Sequence, residues 1–306
     1  MNQVQYMIVG LGELLWDVLP AGRQLGGAPT NFAYVSRLLG DQAIVASRVG
    51  SDEPGREALA RLERFGLTTR YVQLDERRPT GTVKVEVDGK GQPSFTCTED
   101  VAWDYLEWTP PWEELATQAD AVCFGSLAQR STQSRATIRR FLQGTRPDAL
   151  RVFDVNLRHP GFSAEDLSRS LELARVVKLN SEELPRVGEM LKLGGRGEHA
   201  FANRLLQVFD LELVAVTRGE HGSLLVTGEE MIEHPGLRVA VADTVGAGDA
   251  FAAALVHYHL RRAPLEQTSE AANRMGAWVA TQVGATPPVG PDTLARVLGS
   301  IIENYS

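Results

Sequence analysis

The chain has 306 residues and a formal net charge of −8, with 31 lysines and arginines against 39 aspartates and glutamates. A hydrophobic content of 43% supplies enough apolar side chains for a buried core and excludes a disordered chain. The acidic balance and the lack of a long basic block argue against nucleic acid as a partner and against a polybasic membrane patch. No apolar run approaches the roughly 20 residues of a membrane span, so no membrane partner is expected.

The N-terminus and the cysteines indicate a cytoplasmic protein. The first residues, MNQVQYMIVG, lack the basic segment and long apolar stretch of a secretory signal and are typical of a first strand. Cys97 and Cys123 stand apart from each other and form no cluster with histidines, which argues against a disulfide framework and a structural zinc site. We therefore expect a cytoplasmic location.

Predicted strands and helices alternate along most of the chain. β-Branched runs predict strands at AIVASRVG, ADAVCFGS, LRVFDVNL, ARVVKLN and LELVAVT. GREALARLERFG is typical of a helix with Leu59, Leu62 and Phe65 on one face and Gly66 at its end. GDAFAAALVHYHLRRA and EAANRMGAWVATQVG also predict helices. The alternation predicts a three-layer α/β/α fold, in which helices cover both faces of a mostly parallel sheet.

One stretch departs from this alternation. TGTVKVEVDGKGQPSFTC alternates valines with charged residues and then turns at Asp88-Gly89 into a second strand, which predicts a hairpin. A hairpin inserted into an α/β chain is expected outside the main sheet. Together with the segment around residues 14–27, residues 79–100 are expected to form a small β-sheet lid on a single domain that spans residues 1–306.

The segment DTVGAGDAF runs directly into a predicted helix. Gly246, Ala247 and Gly248 offer unhindered N–H groups at the positive end of a helix dipole, where a phosphate binds favourably. Asp249 follows these donors and is placed to accept the proton of an alcohol that attacks the phosphate. A second interpretation stays open on the residues alone: the glycines form a tight turn, and Asp249 complements the helix dipole.

Missing motifs argue against several other enzyme classes. GxxxxGK[ST] does not occur, which excludes a Walker-type NTPase. GLGELLWD has Leu15 where the dinucleotide fingerprint GxGxxG has its third glycine, which argues against a nicotinamide-dependent oxidoreductase. The six histidines form no HxxxH or HExxH pattern, and no Ser/His/Asp order is apparent, so a metalloprotease and a serine hydrolase lack support.

Polar residues and glycines follow several predicted strands, where ligands of open α/β sheets bind. Asp17 follows the first strand, and Gly26-Gly27 precede a helix that Asn31 is expected to open. Short acceptors beside glycines suit a ligand with many hydroxyl groups, but a turn aspartate and an N-cap asparagine would give the same pattern.

VFDVNLRHP places polar residues at alternate positions. This spacing predicts that Asp154, Asn156 and Arg158 share one side of a strand, with an edge-strand salt bridge as the alternative. KLNSEEL and VTRGEHGS follow the next two predicted strands and add further polar or glycine-bearing strand ends.

Five segments, in order, resemble the signatures of the ribokinase-like (PfkB-type) carbohydrate kinases, and the resemblance covers nearly the whole chain. GGAPTNFA followed by VGSDEPG is similar to the N-terminal signature, and DTVGAGDAF is similar to the C-terminal signature. NSEE and TRGEHG match the Asn-x-x-Glu and Thr-x-Gly-x-x-Gly elements. The resemblance implies a ribokinase-like fold and an enzyme that transfers the γ-phosphoryl group of ATP to a sugar hydroxyl, with ATP and Mg²⁺ as cofactors.

The resemblance also implies roles for individual positions. Asp249 is the base, and the backbone of Gly246, Ala247 and Gly248 forms the anion hole. The sugar or transferred phosphate is bound by Asp17, Gly27, Asn31 and Arg158. The nucleotide is bound by Asn180, Glu183, Thr217, Gly219, Gly222 and Asn273, with Glu183 acting on Mg²⁺ through water. A monovalent cation, K⁺, belongs beside Asp243, Val245, Val279, Gln282 and Gly284, although Pro288 stands where some relatives have a polar ligand.

Three further segments bear on the substrate. GGAPTN, RPTGTVKV and EDVAWD resemble the fructokinase branch, which implies that fructose is converted to fructose 6-phosphate. 2-Keto-3-deoxygluconate is an alternative substrate because Arg158 could meet its carboxylate, and another sugar or nucleoside of the family is a further alternative. A sugar-binding protein without catalysis is the alternative from a different class. The family resemblance also implies a homodimer formed through the lid.

Overall fold

The computed structural model describes residues 4–19, 22–87, 93–157, 162–290 and 292–299. The strands are β1 (Met7–Leu11), β2 (Leu15–Leu19), β3 (Gly22–Gly26), β4 (Gln42–Gly50), β5 (Val72–Asp75), β6 (Gly81–Val87), β7 (Pro93–Cys97), β8 (Ala121–Gly125), β9 (Leu150–Asp154), β10 (Val176–Asn180), β11 (Leu213–Thr217), β12 (Ser223–Val226) and β13 (Met231–His234). The helices are α1 (Ala28–Leu38), α2 (Glu53–Arg64), α3 (Pro110–Gln118), α4 (Thr132–Gln143), α5 (Ala164–Leu173), α6 (Glu183–Met190), α7 (Glu198–Phe209), α8 (Ala247–Leu260), α9 (Leu265–Ala280) and α10 (Thr293–Leu298).

A nine-stranded sheet forms the centre of the fold, with the order β13-β12-β11-β10-β9-β8-β1-β4-β5. The neighbouring strands from β11 to β5 in this order pair in parallel, whereas β12 and β13 continue one edge in antiparallel fashion. The strands predicted from β-branched runs are all present. The predicted α/β fold with a mostly parallel sheet is confirmed.

Helices cover both faces of this sheet because consecutive side chains of each strand point to opposite sides. Val152 and Val176 pack with α1, α8 and α9, whereas Phe153 and Val177 pack with α3 to α7. Helix α8 is buried along most of its length, which holds its N-terminus firmly against the sheet. None of the helices in the described ranges is long and apolar enough to cross a membrane.

A separate four-stranded sheet has the order β3-β2-β6-β7. Strands β6 and β7 form the predicted antiparallel hairpin, and β6 pairs in parallel with β2 from the segment 14–27. The predicted association of the two segments is therefore confirmed. The turn predicted at Asp88-Gly89 lies outside the described residues.

Helix α2 connects the two sheets and confirms the face predicted from its sequence. Leu62 is fully buried, and Leu59 and Phe65 pack at the edge of the same cluster. The chain leaves the helix through Gly66, whose φ of 73° favours glycine.

Candidate active site

The N-terminus of α8 begins at a glycine that the surrounding backbone requires. Gly246 is the N-cap and has a φ of 80°, a conformation that costs a residue with a side chain about 1 kcal/mol or more. A Cβ at this position would lie 2.7 Å from the Cα of Ala285, so the space for it is also lacking. The first helical hydrogen bond runs from the N–H of Ala250 to the carbonyl of Gly246. The amides of the first turn therefore lie ahead of the helical ladder, at the positive end of the dipole, and that of Ala247 donates to the carbonyl of Thr244 at 3.3 Å.

Asp249 lies in this first turn and is held by α1. The Nδ2 of Asn31 donates a hydrogen bond of 2.8 Å to Oδ2 of Asp249, across 218 residues of sequence. Asn31 is only 4% exposed, and its Oδ1 is buried without a hydrogen-bond donor in the described part of the chain. This amide therefore orients the carboxylate with one end and offers a buried acceptor with the other.

The start of α1 differs from the prediction. Asn31 was expected to open the helix, but α1 begins at Ala28 and Gly27 is its N-cap, so the N-cap interpretation of Asn31 is wrong. Pro29 explains the earlier start, because its fixed φ suits the first turn of a helix. As a result Asn31 is a residue of the helix itself, and its side chain reaches Asp249.

The proposed sugar positions Asp17 and Gly27 both lie near the N-terminus of α1. Asp17 lies in β2, and its carboxylate occupies the space beside Gly26 where a Cβ would stand. Gly27 has a φ of 99° and approaches the backbone of Glu13 closely. The Glu13 carboxylate in turn accepts a hydrogen bond of 3.2 Å from the N–H of Ala28. Glu13 was missed by sequence analysis.

Asp249 borders a cavity between α1, α8 and the carboxyl ends of β8 and β9. The cavity is lined by Glu13, Ala28, Pro29, Phe32, Cys123, Phe124, Gly125, Ser126, Leu127, Asp154, Asn156, Asp249 and Ala252. Gly27 directly precedes the lining residue Ala28, whereas Asp17 lies outside this lining. The cavity brings three carboxylates, those of Glu13, Asp154 and Asp249, to the N-terminus of one helix.

The three alternating polar residues after β9 are only partly described. The strand ends at Asp154, and Asn156 has a φ of 36°, so a strand-like alternation does not continue to it. Asp154 and Asn156 nevertheless line the same cavity. Arg158 lies outside the described residues.

Asp154 forms a buried ion pair with Lys178, with Nζ–Oδ distances of 3.0 and 3.1 Å. Sequence analysis missed Lys178, although a lysine inside an apolar strand is a signal for a buried pair.

Asn180 and Glu183 form a reciprocal cap at the start of α6. Oδ1 of Asn180 accepts hydrogen bonds from the N–H groups of Glu182 and Glu183, and Oε2 of Glu183 accepts from the N–H of Asn180. Oε1 of Glu183 accepts a hydrogen bond of 2.7 Å from the N–H of Leu157. Burial raises the pKa of Glu183, and the negative charge of Asp154 adds to this effect, against hydrogen bonds that lower it. The cap fixes this carboxyl group between the ends of β9 and β10.

The turn after β11 carries the predicted nucleotide positions Thr217, Gly219 and Gly222. Gly219 and Gly222 have φ values of 58° and 81°, and a Cβ at Gly222 would lie 2.4 Å from the N of Gly236. The sixth predicted position, Asn273, lies in α9 and donates its amide hydrogens to Ser223 Oγ and to the Ser269 carbonyl, each at 2.8 Å. Its amide hydrogens are thus used within the protein, so Oδ1 is the atom left for a ligand.

The predicted cation positions lie in the loop before α8 and at the end of α9, where Val279 belongs to the last turn of the helix and Gln282 and Gly284 follow it. Oδ1 of Asp243 accepts a hydrogen bond from the N–H of Val245, and Oδ2 accepts from the N–H of Gly284, each at 3.0 Å. The carbonyl of Val279 accepts from the N–H of Gln282. Asp243 thus ties the loop before α8 to the segment after α9. Among the described residues, His, Cys, Asp and Glu form no group of three that could hold a metal ion.

Comparisons with known proteins agree with this architecture. The model of the pfkB family carbohydrate kinases matches residues 13–291. The chain is 32% identical over 273 residues to an uncharacterized sugar kinase of Pyrococcus horikoshii, covering 84% of this chain and 83% of that protein. It is 34% identical over 261 residues to a fructokinase of Klebsiella pneumoniae, covering 80% and 82%. The crystal structure of the P. horikoshii protein in complex with ATP superposes with a TM-score of 0.81, at 28% identity over 96% of this chain and 99% of that chain. The protein described here therefore belongs to the pfkB family of carbohydrate kinases, and its fold is the ribokinase-like fold.

Proposed function

We propose that this carbohydrate kinase transfers the γ-phosphoryl group of ATP to fructose and forms fructose 6-phosphate. The observation that carries the proposal is the junction of α1 and α8, where Asn31 holds Asp249 beside the glycine-initiated helix. Donors for the charge of a phosphoryl group and an acceptor for an alcohol proton share this junction. Fructose is favoured because the similar fructokinases of Klebsiella pneumoniae and Salmonella typhimurium are 34% and 32% identical to this chain.

In the proposed reaction the sugar enters the cavity next to Asp249. Asp249 accepts the proton of the attacking hydroxyl, and the first-turn amides of Gly246, Ala247 and Gly248 bind the phosphoryl oxygens. The buried Oδ1 of Asn31 accepts a hydrogen bond from a sugar hydroxyl, which would satisfy an acceptor that otherwise costs free energy. Asp17 and Gly27 bind further hydroxyls, and Arg158 contributes from the segment after β9.

The nucleotide is proposed to lie along the carboxyl ends of β10 and β11. Asn180, Glu183, Thr217, Gly219, Gly222 and Asn273 would bind it. Glu183 fits a role in binding Mg²⁺ through water, because each of its oxygens accepts one N–H and retains a second lone pair. When bound, Mg²⁺ would neutralise charge on the phosphates. Asp243 and the loop of Gly284 are proposed to hold K⁺ mainly through backbone carbonyls, with Val245, Val279 and Gln282.

The small sheet is proposed to act as a lid on the sugar. Strand β2 carries Asp17, and β3 leads directly into α1, so a movement of this sheet would reach the sugar site. Closure would exclude water and limit hydrolysis of ATP. A homodimer through this sheet and a cytoplasmic location belong to the same proposal. The free cysteines Cys97 and Cys123 support a reducing compartment.

The test is ADP release with MgATP in the presence of fructose, 2-keto-3-deoxygluconate, ribose or adenosine, each with and without K⁺. We expect the highest kcat/KM with fructose, fructose 6-phosphate as the product by NMR, and a higher rate with K⁺. Asp249→Asn, prepared in parallel, controls for contaminating kinases. Preference for 2-keto-3-deoxygluconate would replace fructose as the substrate. Sugar binding by calorimetry without ADP release would overturn catalysis and favour a sugar-binding protein.

A further inference from the structure

Lys178 is a buried charge at the centre of the site. It lies in the middle of β10, in the otherwise apolar run VVKL, and is only 7% exposed. Its register partners in the sheet are Asp154 on β9 and Ala215 on β11, so these side chains point to the same face as Lys178. This is the face on which α8 packs. The strand therefore directs an ammonium group toward the helix that carries Asp249.

The ammonium group lies between Asp154 and the first turn of α8. On one side, Nζ contacts both carboxylate oxygens of Asp154, at 3.0 and 3.1 Å. On the other side, a Cβ added to Gly248 would lie 2.8 Å from Nζ. Gly248 thus leaves open the space that the ammonium group uses. An ammonium group has three N–H donors, and among the described residues Asp154 is its one hydrogen-bond acceptor.

The charges around Lys178 keep it protonated. Burial alone would lower the pKa of Lys178, but Asp154, Asp249 and Glu183 outweigh burial and raise its pKa above the usual value. One ammonium group thus balances the charges of three carboxyl groups, of which Asp154 is in direct contact with it. Because phosphate oxygens bring further negative charge, the site depends on this cation to lower the repulsion.

We propose that the ammonium group of Lys178 contacts the phosphoryl group during its transfer, and that Asp154 positions this ammonium group. The inference rests on the proposed function. In the step, the sugar oxygen forms a bond to the γ-phosphorus, the bond from that phosphorus to the β,γ-bridging oxygen breaks, and ADP leaves. The proton of the hydroxyl moves to Asp249. Lys178 keeps its protons and forms no covalent bond, so it acts by charge and by donated hydrogen bonds alone.

The competing role for Lys178 is that of a counterion for Asp154 alone. The two roles predict different values of kcat when both partners of the ion pair are replaced. Breaking a buried ion pair on one side leaves an uncompensated charge and destabilises the fold, whereas replacing both partners by apolar residues relieves that cost. Lys178→Met/Asp154→Leu should therefore regain thermal stability relative to Lys178→Met. If Lys178 contacts the phosphoryl group, kcat should not return with stability.

The experiment measures Tm, kcat and sugar KM for wild type, Lys178→Met, Asp154→Asn and the double variant Lys178→Met/Asp154→Leu, with the sugar that wild type phosphorylates best. We expect kcat to fall by about 10²- to 10³-fold in Lys178→Met and to stay as low in the double variant, with little change in sugar KM. Asp154→Asn, which keeps the ammonium group, should retain a kcat at least about tenfold above that of Lys178→Met. Recovery of kcat in the folded double variant to within about tenfold of wild type would overturn the inference.

Asp249→Asn separates this inference from the proposed function. If Asp249→Asn is inactive and the double variant is active, only the role of Lys178 fails. If Asp249→Asn keeps wild-type kcat, the proposed site of transfer itself fails, whatever the Lys178 variants show. If Lys178→Met does not fold, the double variant still decides the question, because its apolar pair removes the unpaired charge.

Discussion

Helices α1 and α8 begin in the same way but have different groups at their N-termini. Each follows a glycine with positive φ, 99° at Gly27 and 80° at Gly246, and neither has a side-chain cap. At α1, the carboxylate of Glu13 accepts the N–H of Ala28. At α8, the ammonium group of Lys178 lies beside Gly248. Besides the carboxylate of Asp249 in its first turn, α8 thus has a cation of the chain at its N-terminus, whereas α1 has only an anion there among the described residues.

This difference shows that a glycine-initiated helix does not by itself define a ligand site. At α1 the carboxylate of Glu13 accepts the N–H of Ala28, and the carbonyl of Gly27 accepts those of Thr30 and Asn31, so α1 serves to fix the position of Asn31. The N-terminus of α8 has a second positive group beside it, which suits an anionic ligand from outside. Asn31 then connects the two, since it leaves α1 and donates to Asp249 on α8.

The largest effect is expected at Asp249. Asp249→Asn removes the proton acceptor and keeps the shape, so we expect kcat to fall by about 10²- to 10⁴-fold with little change in sugar KM. Glu266→Gln is a matched control, because Glu266 is a first-turn acid of α9. If Asp249 only complemented a helix dipole, the two variants would behave alike. Steady-state kinetics with both substrates tests this, and a near-normal kcat for Asp249→Asn would remove it from the role of base.

Substitution of the two N-cap glycines should change different kinetic constants. Gly246→Ala forces a Cβ against Ala285 and shifts the first-turn amides of α8, so we expect kcat to fall by about 10²-fold. Gly27→Ala forces a Cβ against the backbone of Glu13 and displaces α1, so we expect sugar KM to rise by about tenfold. Each carries about 1–3 kcal/mol of backbone strain.

Gly40→Ala controls for strain in the glycine variants. Gly40 has a φ of 98°, but nothing lies within 4 Å of a Cβ added there. The Gly40→Ala variant should have a lower free energy of unfolding, with kcat and sugar KM near their wild-type values. If all three alanine variants showed the same kinetics, the distinction between the two helix N-termini would not hold.

A smaller effect is expected from Asn31→Leu, which removes the connection between the helices. The variant loses the hydrogen bond to Asp249 and the buried acceptor Oδ1 while it keeps a similar volume. Hydrogen bonds to charged groups contribute about 1.5–3 kcal/mol, so we expect roughly a 10- to 100-fold loss of kcat/KM for the sugar. KM for ATP should stay near the wild-type value. An unchanged sugar KM in the kinetic assay and an unchanged sugar Kd in calorimetry would show that Oδ1 does not bind the sugar.

Much of the fold could be predicted from local patterns. The β-branched runs and the helix at DTVGAGDAF follow from periodicity and glycine placement, and the hairpin at residues 81–97 follows from strict alternation. The position where a strand ends is a weaker signal, so the alternation at Asp154 could not show that the backbone turns at Asn156. The roles of Glu13 and Lys178 depend on contacts with Ala28 and Asp154, which only the assembled sheets and helices define.

Asn180 and Glu183 show a further limit of sequence analysis. The pattern NSEE matches a nucleotide-binding element, and the same spacing is that of a capping box. In the structure both side chains cap α6. A pattern that predicts nucleotide binding can therefore also form a helix cap, and the sequence alone does not separate the two roles.

The smallest effect is expected at α2, whose N-terminus is closed by an ordinary side-chain cap. Asp52 accepts hydrogen bonds from the N–H of Gly55, at 2.8 Å, and from the N–H and hydroxyl of Thr80, at 2.8 and 2.6 Å. Thr80 directly precedes β6, so Asp52 also attaches the small sheet to the core. We expect Asp52→Ala to lower the free energy of unfolding by about 1–3 kcal/mol, with kcat near that of wild type.

The pH dependence of the stability lost in Asp52→Ala identifies the cause of that loss. Burial alone would raise the pKa of Asp52, but the hydrogen bonds from Thr80 and Gly55 outweigh burial and lower its pKa in the folded protein. A depressed pKa stabilises the fold above the pKa of the unfolded chain, and this contribution disappears as pH falls through the folded-state value. The difference in urea unfolding between wild type and Asp52→Ala should therefore be full at neutral pH and shrink below about pH 4. Asp292→Ala, at a helix start without a side-chain cap bond, should show no such difference. A difference for Asp52→Ala that stays constant down to acid pH would mean that the charge of Asp52 does not contribute, and that only its packing attaches the small sheet.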